Sequence, residues 1–137
     1  MAGLQALEAG DGLARKLAAR LRAHLAQRRL HLYAHWHYTT SLFFFQLPDG
    51  LRNTLGGMDL VVIKGDAHYR RLLGDARWPT TTSLAVATGY FPAPFVALRT
   101  LKAEIIVGLR PGEAERLRTE DPSWLVNGKR GLVQARL

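Results

Sequence analysis

The sequence contains no cysteine and no long hydrophobic run. Without cysteine the chain can form neither disulfides nor thiolate metal sites, which agrees with a cytoplasmic location. No apolar stretch approaches the ~20 residues that a membrane-spanning helix needs. The first ten residues, M-A-G-L-Q-A-L-E-A-G, also lack the basic and then apolar layout of a secretory signal. We therefore expect a cytoplasmic protein without a membrane partner.

Acidic residues are scarce, with 11 Asp and Glu against 19 Lys and Arg and a net charge of +8. A net positive charge is typical of proteins that bind nucleic acid, an acidic membrane surface or phosphorylated small molecules. No recognisable nucleic-acid motif accompanies the charge, so we do not expect nucleic acid as the partner. The length of 137 residues, 47% of them hydrophobic, suits one globular core.

Residues 1–29 are predicted to form a basic amphipathic helical segment. Asp11 can cap a helix that begins near Gly12, because its carboxylate can accept from the free N–H groups of the first turn. One apolar ridge consists of Leu13, Leu17, Leu21 and Leu25. The ridge lacks Trp and Phe, which favours a helix packed on a sheet over one lying on a membrane.

The stretch Leu30 to His37 alternates apolar and polar residues, which predicts a strand. Its polar face would carry His31, His35 and His37. Neighbours two residues apart on a strand are separated by about 6.6 Å, a spacing that a shared metal ion bridges awkwardly. A polar strand face is therefore the favoured interpretation over a metal site, and a substrate-side role for one histidine stays open.

The rest of the chain alternates predicted strands and helices, which indicates an α/β fold with a layered, mostly parallel sheet flanked by helices. Predicted strands are Met58 to Ile63 and Gly131 to Leu137. The run Phe95 to Leu109 is long enough for one strand or for two extended pieces broken at R-T-L-K. Predicted helices follow Pro48 and cover Ala67 to Leu73, Leu84 to Thr88 and Gly112 to Arg118. The run Met58 to Ile63 is apolar on both faces, so we expect a central parallel strand.

Lys64, Gly65 and Asp66 follow that strand directly. Ligands of parallel α/β sheets bind at the carboxyl ends of the strands. Gly65 permits a close backbone approach, and Lys64 and Arg70 add positive charge beside the start of the next helix. This segment alone supports two interpretations equally, an anion site and a polar turn in which Asp66 caps the helix.

A second basic cluster, Arg99, Thr100 and Lys102, interrupts a buried-looking apolar run, where unpaired charges would be costly. If the run begins with a parallel strand, Arg99 and Thr100 emerge at the same edge of the sheet as Asp66. Two cations, a hydroxyl and a helix N-terminus would then surround one anionic group. The arrangement predicts a phosphate pocket in which Asp66 binds sugar hydroxyls or positions water, and it does not by itself establish hydrolysis.

These blocks resemble the damage-control phosphatase family. The matching segments are D-L-V-V-I-K-G-D-A-H-Y-R-R-L-L-G-D, W-P-T-T-T, F-P-A-P-F-V-A-L-R-T-L-K-A-E-I-I-V-G-L and P-S-W-L-V-N-G-K-R-G. More narrowly, the chain is similar to the sugar-phosphate phosphatase subfamily, also described as acidic-residue (protein-glutamate) methyltransferases. That subfamily carries an R-T-x-K motif, and residues 99–102 read R-T-L-K. The resemblance covers roughly Leu30 to Gln134.

The resemblance implies a metal-dependent phosphatase that acts on sugar phosphates such as fructose 1-phosphate or fructose 6-phosphate. The expected cofactor is a divalent metal, Mn²⁺ or also Mg²⁺, Co²⁺ or Ni²⁺. The implied substrate-binding residues are Asp66, Ala67, His68, Tyr69, Arg70, Arg99, Thr100 and Lys102, with Lys102 on the phosphate. Family members usually have Asn where this chain has His68.

In the family, the metal is held by an adjacent Asp-Asn pair and a further Asp, all N-terminal to the matched part, and this sequence has no Asp-Asn dipeptide. We therefore expect residues 30–137 to be the C-terminal part of a larger Rossmann-like domain, with no catalytic residue or metal ligand of its own. Expected partners are a phosphorylated small molecule and either a missing N-terminal half or a second copy at an exposed sheet edge. The alternative is a noncatalytic phosphosugar- or nucleotide-binding or interaction module. A third hypothesis is a polyanion binder acting through the basic helix Gly12 to Arg29.

Overall fold

The computed structural model describes residues 2–137. The chain divides into two compact units, the first ending at Tyr38 and the second spanning Thr39–Leu137. None of the helices within residues 2–137 is long and apolar enough to cross a membrane.

The first unit contains helices α1 (Ala2–Glu8) and α2 (Gly12–Ala26), which pack against each other. The predicted cap is confirmed, because Asp11 Oδ1 accepts from the backbone N–H groups of Leu13 at 3.1 Å and Ala14 at 2.9 Å. Arg22 and Glu8 form an ion pair between the two helices. The predicted leucine ridge is only partly covered, since Leu13 and Leu17 are exposed whereas Leu21 and Leu25 are half-buried.

The predicted strand Leu30 to His37 is wrong. Residues 31–35 have no regular secondary structure, and Trp36–Thr39 form a 3₁₀ turn. Alternation specifies which side chains share a face, but a strand also needs a neighbour for its backbone hydrogen bonds, and no strand within residues 2–137 pairs with this segment. His31 and His35 make local hydrogen bonds instead, His31 with the Arg28 carbonyl and His35 with the His37 N–H.

The second unit is the predicted α/β layer. Its strands are β1 (Val61–Lys64), β2 (Phe95–Thr100) and β3 (Gly131–Arg136), in the order β1-β2-β3. Strand β1 pairs with β2 in parallel and β3 pairs with β2 antiparallel. Its helices are α3 (Asp49–Gly56), α4 (Asp66–Leu72), α5 (Leu84–Ala87) and α6 (Glu113–Glu120). A 3₁₀ turn at Phe44–Gln46 precedes α3.

Strand β1 is parallel, as predicted, but it is not central. Among residues 2–137 it has a strand neighbour on one side only. Leu60 and Val62, which would share one face of the strand, are also 48% and 59% exposed, although their apolar character had indicated burial on both faces. The apolar run that begins at Phe95 also forms a strand only as far as Thr100.

The core lies between the sheet and the helices of the second unit. Its fully buried side chains include Leu51, Tyr69, Leu72, Phe95 and Val107. A smaller cluster beside it consists of Leu101, Ile106, Ala114 and Trp124. Strands β1 and β2 therefore pack against the core close to their carboxyl ends, through Ile63 and Ala97 and through Leu101, which directly follows β2.

Strand β3 holds the loop before β2 in place through Arg136. The guanidinium of Arg136 donates to the backbone carbonyls of Thr88, Phe91 and Ala93 at 3.1, 2.6 and 2.8 Å and lies over the Phe95 ring. A single side chain thus ties the last strand to residues 88–93, which lead into β2.

Candidate functional site

The segment between β1 and α4 leaves the sheet at the carboxyl end of the parallel pair. Gly65 has φ +109° and ψ 154°, a conformation that residues with a Cβ rarely adopt. Its N–H donates to the Leu98 carbonyl at 2.8 Å and continues the ladder beyond Lys64. The strained turn therefore places Asp66 at the sheet edge, as the first residue of α4.

The carboxylate of Asp66 does not cap its own helix. No side-chain hydrogen bond caps the start of α4. Instead, Asp66 Oδ1 accepts from Arg99 Nε at 2.8 Å and from the Lys102 backbone N–H at 3.3 Å. The expectation that K-G-D and R-T-L-K meet at one edge of the sheet is confirmed, and the capped-turn interpretation is wrong.

Arg99 is buried, and each of its three guanidinium nitrogens donates to a protein oxygen. Its side chain has no exposed surface. Besides the bond to Asp66, its Nη1 donates to the Ile105 carbonyl and its Nη2 to the Ala103 carbonyl at 2.8 Å. The guanidinium also lies 4.5 Å from the centre of the Tyr69 ring. In this structure Arg99 orients the Asp66 carboxylate and the loop that follows β2.

Tyr69 extends this network to the last strand. Its hydroxyl donates to Gln134 Oε1 at 2.9 Å and accepts from the Val107 N–H at 3.4 Å. Burial raises the pKa of the Tyr69 hydroxyl. Gln134 completes the connection by donating from Nε2 to the Val107 carbonyl at 2.7 Å. The series Gln134, Tyr69, Arg99 and Asp66 thus connects β3 to the loop after β1.

Sequence reasoning missed Gln134. The signal available was the alternation of β3, in which Leu132, Gln134 and Arg136 share the more buried face. Two polar residues on the inward face of a strand need buried partners. That requirement could have marked both as structural contacts.

The remaining residues of the predicted set lie around Asp66 with different partners. Arg70 forms a two-point ion pair with Asp75 at 2.7 Å. Ala67, Thr100 and Lys102 are exposed. An open depression of about 290 Å³ beside this loop is lined in part by Lys64, Gly65, Arg99 and Thr100.

His68 lies between the Asp66 loop and the aromatic residues that precede α3. Its ring stacks on Phe44 with centroids 6.0 Å apart and an interplanar angle of 12°. Its Nδ1 is buried without a hydrogen-bond partner among residues 2–137. Burial, and then the charge of Arg71, lower the pKa of His68, so the neutral ring is favoured.

Comparison with known proteins identifies the family of this chain. The family profile described as "Damage-control phosphatase ARMT1-like domain" matches residues 2–117. The chain belongs to this family. The Danio rerio protein named Damage-control phosphatase ARMT1 is 49% identical to it over 85 residues, which cover 61% of this chain and 19% of that relative. The Mus musculus and Homo sapiens proteins of the same name are each 47% identical over 90 residues, 65% of this chain and 20% of each relative. The chain therefore spans about a fifth of the length of these damage-control phosphatases.

Residues 2–137 of this family member do not fit a divalent metal site by themselves. Within residues 2–137, no group of three or more His, Asp or Glu side chains is arranged to hold a metal ion. Asp66, the carboxylate at the site, is bound to Arg99 through one oxygen. The site contains one carboxylate of fixed orientation, that of Asp66, and two exposed cations near it, Lys64 and Lys102.

Proposed function

We propose that this chain supplies the phosphosugar-contacting part of a metal-dependent sugar-phosphate phosphatase. Its substrates would be phosphomonoesters of the fructose 1-phosphate or fructose 6-phosphate type. Support comes from one observation above all, the meeting of the K-G-D and R-T-L-K segments through Asp66, Arg99 and the Lys102 backbone.

The chemistry of the two segments suits a sugar phosphate. A carboxylate with one oxygen held by a buried cation keeps its other oxygen in a defined direction, where it can accept from a sugar hydroxyl. The exposed ammonium groups of Lys64 and Lys102 can neutralise a phosphate at the same sheet edge. Phosphate would therefore bind on the lysine side and the sugar on the Asp66 side.

Hydrolysis needs more than this chain holds. A divalent cation would polarise the phosphoryl oxygen and generate the attacking nucleophile. We expect the metal ligands to come from polypeptide outside the 137 residues, and the isolated chain to bind phosphosugar without turnover.

Calorimetric titration with fructose 1-phosphate tests the binding function. Lys102→Ala is expected to weaken binding about ten- to hundredfold, because a charged hydrogen bond contributes ~1.5–3 kcal/mol and each 1.4 kcal/mol is a factor of ten. The matched control is Lys16→Ala, which removes an exposed lysine from α2 and should leave the affinity unchanged. Absence of binding, or equal loss in both variants, would contradict the proposal.

Phosphate release in the presence of Mn²⁺ tests the catalytic part. The chain alone is expected to release none, and robust turnover would show that it carries a complete site. A mixture with the remainder of the Danio rerio relative is expected to gain activity. If that mixture binds fructose 1-phosphate but stays inactive, the noncatalytic binding module is the better description. The absence of a metal-binding group within residues 2–137 is the observation that favours this second candidate.

A further inference from the structure

A second cavity lies apart from the Asp66 loop. It has a volume of about 270 Å³ and its lining contains none of the predicted phosphosugar-contacting residues. Two tryptophans, Trp78 and Trp124, contribute to its wall together with Ile106. We call this the tryptophan cavity.

The walls of the tryptophan cavity are held by hydrogen bonds and burial. The indole Nε1 of Trp78 donates to the Leu73 carbonyl at 3.0 Å. Trp124 is only 3% exposed and belongs to the smaller core cluster. Thr80 accepts from the Leu109 N–H at 2.9 Å through its backbone carbonyl. The cavity is therefore largely formed before any ligand arrives, as small-molecule sites usually are.

The charge around the tryptophan cavity is positive. Its lining contains Arg77, Arg118 and one acidic residue, Glu104, and Arg77 is ion-paired with Glu104. The side chain of Arg118, in the last turn of α6, makes no hydrogen bond or ion pair within residues 2–137. Its neighbour Arg116 is paired with Glu120 on the same helix. One guanidinium at the cavity is thus available to an anion, and guanidinium binds phosphate and carboxylate through two parallel hydrogen bonds.

We propose that the tryptophan cavity binds a small, ring-bearing organic anion. The flat ring lies against the tryptophan wall, and the phosphate or carboxylate group binds Arg118. The volume is slightly below the ~300–1,000 Å³ of sites for drug-sized ligands, which limits the occupant to roughly one ring and its anionic group. This site is separate from the proposed phosphosugar site and does not depend on it.

The test is an NMR titration of the full chain with phenyl phosphate, following the three tryptophan indole N–H signals. We expect saturable shifts at Trp78 and Trp124 and none at Trp36. Inorganic phosphate and phenol, tested separately, are each expected to bind at least about tenfold more weakly, because each carries only half of the recognised chemistry. Equal binding of phosphate alone would overturn the assignment of a ring site.

Matched variants assign the anion contact. Arg118→Gln should weaken phenyl phosphate binding about tenfold, while Arg116→Gln, on the same helix but outside the cavity, should leave it unchanged. Lys102→Ala should also leave it unchanged, which separates this site from the phosphosugar site. The proposal is overturned if the two indole signals do not shift, if both arginine variants lose binding equally, or if Lys102→Ala removes it.

Discussion

Replacing Arg99 with methionine should lower the free energy of unfolding of the second unit by about 3–5 kcal/mol, the range measured when one partner of a buried ion pair is removed. The side chain has no exposed surface and bonds to Asp66 and to the carbonyls of Ala103 and Ile105. Each carbonyl left without a donor costs about 1–3 kcal/mol. The loss at Asp66 is smaller, because its side chain is 17% exposed and water can partly replace the guanidinium.

The loss can be measured by urea unfolding followed by tryptophan fluorescence. A Trp36→Phe background limits the signal to Trp78 and Trp124, both in the second unit. The transition midpoint should fall while the slope with urea stays constant, since the surface exposed on unfolding is unchanged. The control is Arg77→Met, whose ion pair with Glu104 is mostly exposed and should contribute less than ~1 kcal/mol.

An Arg99→Met loss below about 1 kcal/mol, equal to that of Arg77→Met, would refute the reasoning. It would mean that the buried bonds of Arg99 contribute no more than a surface ion pair. The orientation of Asp66 would then need another cause.

Three further perturbations address the same unit. Gln134→Leu removes a hydrogen-bond partner from the Tyr69 hydroxyl and from the Val107 carbonyl. Urea unfolding should show a loss of about 1–3 kcal/mol in the free energy of unfolding. An unchanged transition midpoint would contradict the role of Gln134. In Gly65→Ala the new Cβ meets no atom within 4 Å, so the expected loss of about 1–3 kcal/mol in the free energy of unfolding comes only from the backbone conformation. The control is Gly3→Ala in α1, which should not lower the melting temperature. The lowered pKa of His68 means that its neutral form stabilises the fold fully above the ordinary histidine pKa of about 6.5, and that this stability is lost as the pH falls towards the folded-state pKa. The melting temperature should therefore change less between pH 7 and pH 5 in His68→Gln than in the unmodified chain. Identical profiles of melting temperature against pH for the variant and the unmodified chain would contradict this.

Local signals in the sequence predicted most of the helices and the approximate position of the site. The Asp11 cap and the helix after Pro48 depend on neighbouring residues, so they can be recognised within a short window. The meeting of Asp66 and Arg99 also followed from a general rule, because both residues lie at the carboxyl ends of parallel strands.

The errors concern partners that lie far away in sequence. Leu30 to His37 has the alternation of a strand, but the backbone of that segment finds no neighbouring strand within residues 2–137. The apolar residues around Val62 indicated burial on both faces, although β1 lies at the edge of the described sheet. Neither outcome can be seen in the segment itself, because pairing depends on other parts of the chain.

The sequence by itself determined the family, the α/β class and the chemistry available at the ends of β1 and β2. Only the tertiary structure decided that Arg99 is buried and holds Asp66, while Tyr69 and Gln134 complete the support. The physical reason is distance along the chain. Propensity and capping act over a few residues, whereas the hydroxyl of Tyr69 meets an amide 65 residues further on, and only the folded sheet brings the two together.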